Sequence, residues 1–526
     1  MKILGINCSA HDTGVAYIKD GKIMCALEEE KMVGIKSRYI QWKMPTESMN
    51  YLLTEYNLTF DDFDYVAVSA PAQQFYLKNF NIDKIFTYSH HKSHALGSYF
   101  TSGFQGKCIS LSHDGKGETS RGKIYLCEDG FVEEIYNSPT PTTASLAGIW
   151  GLATIRLGWQ MLKDEGKVVG LAAHGKFNNQ IYDWLKDCVY YDGNLGFGPA
   201  GWEGRFWHIF NRDFQHKNFE NKEFRADFAF TLEQYTEELM FNLLKDLHER
   251  YPDYRKLCLS GGLFANVKLN QMINDLDFFD EIFIHPAMSD SGLALGAALC
   301  KAHEIGDIKT PLKLQDVYLG QSFTKKYWDN ELTKEDIYQT TPFDYGTIAN
   351  LINDGKVLGL FIGRTEYGPR ALGNRSIIVK PTEKETHENL NTKLKRTEIM
   401  PFAPSVLSDY SKVVFQTFKS EYTSEFMTLC YTTNPNWVNK LPAVIQELDS
   451  SARPQIVRKE SNSIYYNIIE NYRKISGIPV VLNTSFNVHE EPIVCHPNEA
   501  FAHLENGIVD LLIINNLLNR FILILL

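Results

Sequence analysis

The chain has 526 residues, with 53 Lys plus Arg against 64 Asp plus Glu, a formal charge of −11, and 44% hydrophobic and 22% charged residues. This is an ordinary globular composition, long enough for two or three domains, so no disulfide staple is needed to hold a core together. The acidic balance gives no basic footprint for nucleic acid, and the nine scattered cysteines include no CxxC pair that would make a zinc ribbon or redox dithiol; together these favour small-molecule chemistry in a reducing compartment.

The N-terminus, MKILGINCSAHDTG, runs from an apolar strand into a polar loop without the features of a signal peptide, which predicts a cytoplasmic protein. The pattern continues as strand, His11-Asp12 loop, strand, Asp20-Gly21 turn, strand. CISLSHDGKGETSRGKIYLCEDGFVEEIY repeats that order, with His113-Asp114-Gly115 in the loop and Asp129-Gly130 in the turn. Asp-Gly between apolar runs predicts a tight hairpin, because both turn residues need positive φ. Duplicated units of this kind resemble the actin, Hsp70 and sugar-kinase superfold, in which such loops face a nucleotide.

Between the repeats, HHKSHALGSYF places His90 and His94 on one face of a helix, a spacing that lets two imidazoles share a divalent metal. Asp114, in the second repeat loop, and Asp290, at a strand-to-helix junction, add carboxylates, and such a set suits iron, manganese or zinc better than magnesium. His91 and His113 are further candidates. His11 has the chemistry to take a proton from a hydroxyl near neutral pH, and Asp12 could orient it or bind the substrate hydroxyl.

Helical periodicity follows over SLAGIWGLATIRLGWQ and FRADFAFTLEQYTEELMFNLLKDLHERY. Two strand-to-helix junctions come next, one at Gly261-Gly262 and one at Asp290-Ser291-Gly292, where unpaired helix N–H groups favour anions. A domain boundary is expected near residue 340, giving domains 1–340 and 341–526. The second opens with a helix and strand, YGTIANLINDGKVLGLFIG, and ends with another such pair, IYYNIIENYRKI and IPVVLNTS, so it is a second α/β unit. It carries Arg364, Arg370, Arg375, Lys393, Lys395, Arg396 and Arg453 near Asn483-Thr484-Ser485, a set that suggests a phosphate pocket. The apolar C-terminus, DLLIINNLLNRFILILL, is interrupted by Asn and Arg, and it predicts a buried helix or strand rather than a membrane span.

The segments GINCSAHDTGVA, EEEK, HHKSHA, SHDGKGE, DEGKVVGLAAHG, LSGGLFANVKLN, SDSGLALGAAL, EYGPRALGNRS, MPFAPSVL, ARPQIV and NTSFNVHEEPIV stand in the order found in the O-carbamoyltransferases of nodulation-factor, aminoglycoside and cephamycin-type biosynthesis. Over almost its whole length the chain resembles that family. The resemblance implies an α/β protein whose N-terminal, actin/Hsp70-like (ASKHA-type) domain is related to threonylcarbamoyl-adenosine transferases. A C-terminal α/β domain would form carbamoyl-adenylate from carbamoyl phosphate and ATP with Mg2+. The carbamoyl group would then pass to an acceptor hydroxyl at an Fe2+, Mn2+ or similar site.

By the same resemblance, His90, His94, Asp114 and Asp290 are the metal ligands, His11 is the base, and Asp12 lies close to the acceptor. Gly261, Gly262 and Asn266 form an adenylate-binding loop. Arg370, Arg453, Asn483 and Ser485 line the adenylation pocket, with Lys393, Lys395 and Arg396 beside them. Three positions depart from the family pattern: Met400 stands where Arg usually precedes PFAP, Glu490 replaces a glycine after NTSFN, and Lys31 replaces the common Arg after the glutamates.

The expected acceptor is a natural-product or sugar alcohol. A hydroxymethyl-pyrimidine in DNA is an alternative that the net charge disfavours. Residues 32–45 and the aromatic-rich stretch 176–225 are the candidate acceptor segments, although those aromatics could equally be local core. Two other readings differ in class: transfer to a protein thiol, whose relatives carry CxxC zinc modules absent from this chain, and a non-catalytic nucleotide-binding sensor or assembly partner. No membrane partner is expected, and a homodimer is compatible with the sequence.

Overall fold

The computed structural model describes every residue except 10, 37–42, 70–80, 141, 215, 325–326, 329–338, 343, 397–400, 417, 517–519 and 526. Met400 lies outside the described residues. By their contacts, the residues form two compact units, one of Met1–His11, Ala16–Ile23 and Thr59–Leu314, the other of Asp12–Val15, Met24–Leu58 and Gln315–Leu526. Residues ahead of the expected boundary near 340 therefore group with the second unit, together with two pieces of the N-terminus.

Two five-stranded sheets share one topology. In the first, strands β1 (Lys2–Cys8), β2 (Thr13–Lys19), β3 (Lys22–Glu28), β4 (Tyr65–Val68) and β5 (Ile85–Thr87) lie in the order β3-β2-β1-β4-β5, with β4 parallel to both β1 and β5. The second is built from β6 (Lys107–His113), β7 (Ser120–Glu128), β8 (Phe131–Pro139), then, after a short hairpin of β9 (Tyr190–Tyr191) and β10 (Phe197–Gly198), from β11 (Lys256–Ser260) and β12 (Glu281–Ile284). Its order is β12-β11-β6-β7-β8, with β7 antiparallel to β6 and β8 to β7, and with β11 parallel to both β6 and β12. This duplication is the actin/Hsp70-like arrangement expected from the repeat. Both hairpin turns have the backbone that Asp-Gly predicts, with φ of 49° and 73° at Asp20-Gly21 and of 46° and 96° at Asp129-Gly130.

The helix His90–Thr101 is buried along nearly all its length and packs against the helix Leu293–Glu304. The two backbones touch where Gly97 meets Gly296: a Cβ on Gly296 would lie 2.1 Å from the Ser93 carbonyl oxygen, so only glycine permits the approach. That crossing brings the His90 end of one helix to the Asp290 end of the other.

A mainly helical insertion, which includes the β9–β10 hairpin, follows β8. Within it, Trp184 is packed by Phe206, Phe210, Phe214 and Phe228, with ring centroids 5.1 to 5.8 Å away. Most of the aromatic stretch is thus local core, each buried ring contributing about 1.5–3 kcal/mol, while Phe177 and Tyr190 stay exposed.

The second unit is built on an eight-stranded mixed sheet in the order Gln339–Pro342, Arg520–Leu525, Leu511–Asn516, Leu358–Phe361, Arg375–Val379, Val480–Ser485, Ala403–Leu407 and Gln455–Val457. The apolar C-terminus supplies two of these strands, which pair antiparallel. Ile348, Leu360, Ile378, Ile468, Ile469, Val481 and Ile513 form the core between the sheet and the helices Tyr345–Asn353 and Ser463–Ser476. Among the described residues, no helix is long and apolar enough to cross a membrane.

Candidate functional site

In the first unit, His90, His94, Asp114 and Asp290 each direct one ligand atom to a common point, all within 4.8 Å of one another. The helical turn between His90 and His94 places both imidazoles on one face, Asp114 follows β6, and Asp290 opens the turn before Leu293–Glu304. His94 Nε2 lies 3.4 Å from both Asp114 Oδ2 and Asp290 Oδ1, and His90 Nε2 lies 3.3 Å from Asp290 Oδ1. His11 Nε2 approaches the other oxygen of Asp290 at 3.4 Å. Asp12, the next residue, groups with the second unit.

The carboxylates are oriented from behind. Asn7, itself bonded by Ser69 Oγ at 2.9 Å, donates to the Asp290 carbonyl at 2.9 Å. Asp114 accepts from the Gly115 amide at 2.6 Å and the Gly262 amide at 3.1 Å. Burial opposes charge on His94, but hydrogen bonds and the charges of Asp114 and Asp290 overcome it and raise its pKa to about 9. Burial also opposes ionisation of Asp114, yet His90 and His94 hold it well below the usual carboxylate range, and Asp290 is likewise lowered. His90 Nε2 is buried and makes no hydrogen bond among the described residues.

The two further candidates, His91 and His113, contact the backbone. His91 contacts the Ser120 carbonyl at 3.0 Å, and burial pushes its pKa down; burial likewise lowers His113 to about 4, and its Nε2 accepts from the Leu146 amide. Behind Asp114, Gly261 has φ of 100°, a backbone that places it directly against the His113 carbonyl. Asn266 uses its oxygen to cap the helix Val267–Asp275 and its amide to span both oxygens of Glu233 at 2.9 Å.

In the second unit, the predicted cations divide. Arg370 and Arg453 lie close enough for one charge to oppose the other, and burial together with that repulsion drives the Arg370 pKa down. Arg370 Nε is buried without a hydrogen bond, and no ion pair satisfies either guanidinium among the described residues. A guanidinium keeps its proton in proteins, so two partly buried ones side by side, with no carboxylate partner among the described residues, have the chemistry to hold an anion. Arg396 reaches Ser485 Oγ at 3.1 Å. Asn483 reaches the Ala371 carbonyl, next to Arg370, at 3.1 Å, and leaves a buried oxygen unpartnered.

Three other cations, Arg364, Arg375 and Lys393, are already engaged. Arg364 donates to the carbonyls of Met24, Leu319 and Gly320, and fully buried Arg375 donates to those of Ile362, Gly363 and Asn374 and stacks on Phe361. Lys393 pairs with Asp510 at 2.8 Å. Lys395 sits in a left-handed backbone with φ of 54°. Glu490 takes φ of 77°, the conformation natural to the glycine it replaces.

Sequence reasoning passed over Glu366, whose Oε1 accepts from the amides of Leu372, Asn374 and Arg375 at 2.8 to 2.9 Å. Its place within EYGPRALGNR was the only signal. Glu233 was also missed, because a glutamate inside a long helix reads as solvent-facing; burial, with Glu237 nearby, pushes its pKa up to about 8.

Residues 2–74 and 66–299 match the family model described as carbamoyltransferase N-terminus, and residues 349–520 match the one described as carbamoyltransferase C-terminus. An uncharacterized protein of Methanocaldococcus jannaschii is 32% identical over 536 residues, covering 98% of this chain and 99% of its own. The nodulation protein NolNO of Sinorhizobium fredii is 30% identical over 93% of this chain and 76% of its length. The nodulation protein U of Rhizobium fredii is 33% identical over 46% of this chain and 40% of its own. Among solved structures, HypF of T. kodakarensis aligns with 13% identity and a TM-score of 0.34 over 59% of this chain and 48% of that one.

Proposed function

The chain belongs to the carbamoyltransferase family, and from that premise we propose that it is an ATP-dependent O-carbamoyltransferase with two reaction centres. The second unit makes carbamoyl-adenylate from carbamoyl phosphate and ATP, and the first transfers the carbamoyl group to an alcohol. The observation that carries the reading is the convergence of His90, His94, Asp114 and Asp290, with His11 leaning on Asp290. Two imidazole nitrogens and two carboxylate oxygens fit divalent iron, manganese or zinc, and the unbonded, buried His90 Nε2 fits a ligand role. When bound, such an ion polarises a carbonyl or phosphate oxygen and so stabilises developing negative charge.

In the second unit, water releases carbamate and phosphate from carbamoyl phosphate. A carbamate oxygen then attacks the α-phosphorus of ATP, which enters with Mg2+, and pyrophosphate leaves. Arg370 and Arg453, both partly buried, neutralise the phosphoryl oxygens. In the first unit, His11 takes the proton of the acceptor hydroxyl as its oxygen bonds to the carbamoyl carbon and the bond from that carbon to the adenylate oxygen breaks. AMP leaves, and Asp290, 3.4 Å from His11 Nε2, stabilises the imidazolium. The acceptor is a natural-product or sugar hydroxyl, and the protein works in the cytoplasm.

The test compares pyrophosphate and AMP release by the whole chain, its Arg453→Ala variant and its His90→Ala/His94→Ala variant, with ATP, Mg2+, carbamoyl phosphate and added Fe2+ or Mn2+. Arg453→Ala is expected to abolish pyrophosphate release. The histidine variant is expected to keep pyrophosphate release while losing transfer to a panel of alcohols. Equal loss of pyrophosphate release in both variants, or ATP binding without turnover under any metal, would overturn the two-centre scheme.

A further inference from the structure

Between the end of β3 and the loop that carries Arg370 lies a buried charge network for which the scheme above has no use. Lys31, in the helix Glu29–Val33, is 4% exposed at its side chain, and Glu28 is 7% exposed. Both belong to the second unit. The Lys31 ammonium has three donors and three acceptors: the Glu28 carboxylate, the Glu366 carbonyl at 2.9 Å and the Gly368 carbonyl at 2.7 Å. Glu28 in turn accepts from the Gly368 amide at 3.1 Å. Both peptide groups of Gly368 are thus gripped, two residues before Arg370, in a backbone with φ of 101° that favours glycine. On the other side of Arg370, the Glu366 carboxylate accepts from the backbone amides of Leu372, Asn374 and Arg375, and Asn483 donates to the Ala371 carbonyl.

We propose that Lys31 and Glu28 are positioning residues for the adenylation reaction, fixing the Gly368-Pro369-Arg370 loop so that Arg370 meets its anion in one orientation. The inference rests on reading the second unit as the adenylate-forming one. Stability alone is a poor reason for the pair, since a buried ion pair replaced by apolar residues of similar volume is often neutral or stabilising. Geometry is the better reason: Glu28 and Lys31 grip the two peptide groups on either side of the Gly368 Cα, and a methionine or leucine could fill the space but not hold a carbonyl.

The experiment uses the full chain and inorganic pyrophosphate as the probe, with its Kd from titration calorimetry, KM and kcat for ATP from pyrophosphate release, and Tm for each variant. Lys31→Met, and Glu28→Gln/Lys31→Met, which removes both charges together, are expected to weaken pyrophosphate binding and raise the KM for ATP at least tenfold. Lys31→Arg, which keeps a cation with several donors, is expected to return both to within threefold of the parent. If Lys31→Met lowers Tm, the double variant decides, because it leaves no unpaired buried charge. Parent-like Kd and KM in a folded Lys31→Met or double variant, while Arg370→Ala loses binding, would overturn the positioning role and leave the adenylation reading intact. A parent that neither binds pyrophosphate nor turns over ATP would overturn the adenylation reading itself.

Discussion

Replacing Gly296 with alanine tests whether the helix crossing sets the spacing of the four-residue cluster. The added Cβ would sit 2.1 Å from the Ser93 carbonyl oxygen and 2.8 Å from its carbon. Carbon–oxygen contacts begin near 3.3 Å, so the two backbones must part by about 1 Å. His90 and His94 ride on one helix and Asp290 begins the other, at 3.3 and 3.4 Å from the imidazoles. Ligand distances tolerate only about 0.2 Å, so a shift of this size is several times what a metal site absorbs. Overpacking costs about 1–3 kcal/mol, but the better helix propensity of alanine returns about 1 kcal/mol, which leaves a drop of only a few degrees in Tm. Metal affinity is therefore the sensitive readout, with an expected loss of roughly 10–100-fold, the range seen when groups that orient ligands are removed. The assay is metal content after loading with Mn2+ or Fe2+ and desalting, followed by titration, with pyrophosphate release as the control on the second unit. A folded Gly296→Ala protein that binds metal as tightly as the parent would refute the argument that this crossing fixes the ligand spacing.

Glu233 is held protonated by burial up to about pH 8, whereas an unfolded glutamate ionises near 4.5. Between those values the unfolded chain has released a proton that the folded chain retains, so stability falls as pH rises, by up to about 1.4 kcal/mol per unit for one group. Glu233→Gln is expected to flatten the decline in Tm between pH 5.5 and 8.5, and an unchanged slope would show that the carboxyl ionises normally. Lys393→Ala removes a half-exposed ion pair with Asp510 and is expected to cost no more than about 1 kcal/mol and to leave ATP turnover unchanged; a tenfold loss of turnover would return Lys393 to the anion pocket. Glu490→Gly relieves a left-handed backbone worth about 1–2 kcal/mol and gives back about half of that in chain entropy, so Tm should rise slightly by calorimetry. A fall in Tm would mean that the Glu490 side chain contributes more than its backbone costs.

The parts of the molecule that were legible in the sequence are those written in local patterns. His90 and His94 are one helical turn apart, Asp114 follows a strand, Asp290 opens a helix, and the two Asp-Gly turns announce the duplicated sheets, because each depends on residues close together in the chain. The guanidiniums could be counted but not sorted. Arg364, Arg370 and Arg375 look alike in sequence, and only the fold decides that two of them meet backbone carbonyls while Arg370 meets none among the described residues. The partnership of Lys31 with Gly368 spans hundreds of residues, so no local period encodes it. The aromatics near Trp184 were ambiguous for the same reason: a ring that stacks on a ligand and a ring that packs on Phe206 have the same spacing.

The interleaved chain path has a consequence for biosynthesis. Glu28 and Lys31 leave the ribosome early, yet the Glu366 and Gly368 backbone groups that they bind are made hundreds of residues later. At synthesis rates of roughly 5–20 residues per second, the buried Lys31 and Glu28 wait on the order of ten seconds or more before the Gly368 loop exists to receive them. Until then they are charged groups in water, and this short helix contributes little on its own. The first sheet, by contrast, can close as soon as β5 emerges. The protein is thus expected to mature in two stages, with anion binding appearing last, and chaperone dependence should fall on the second unit.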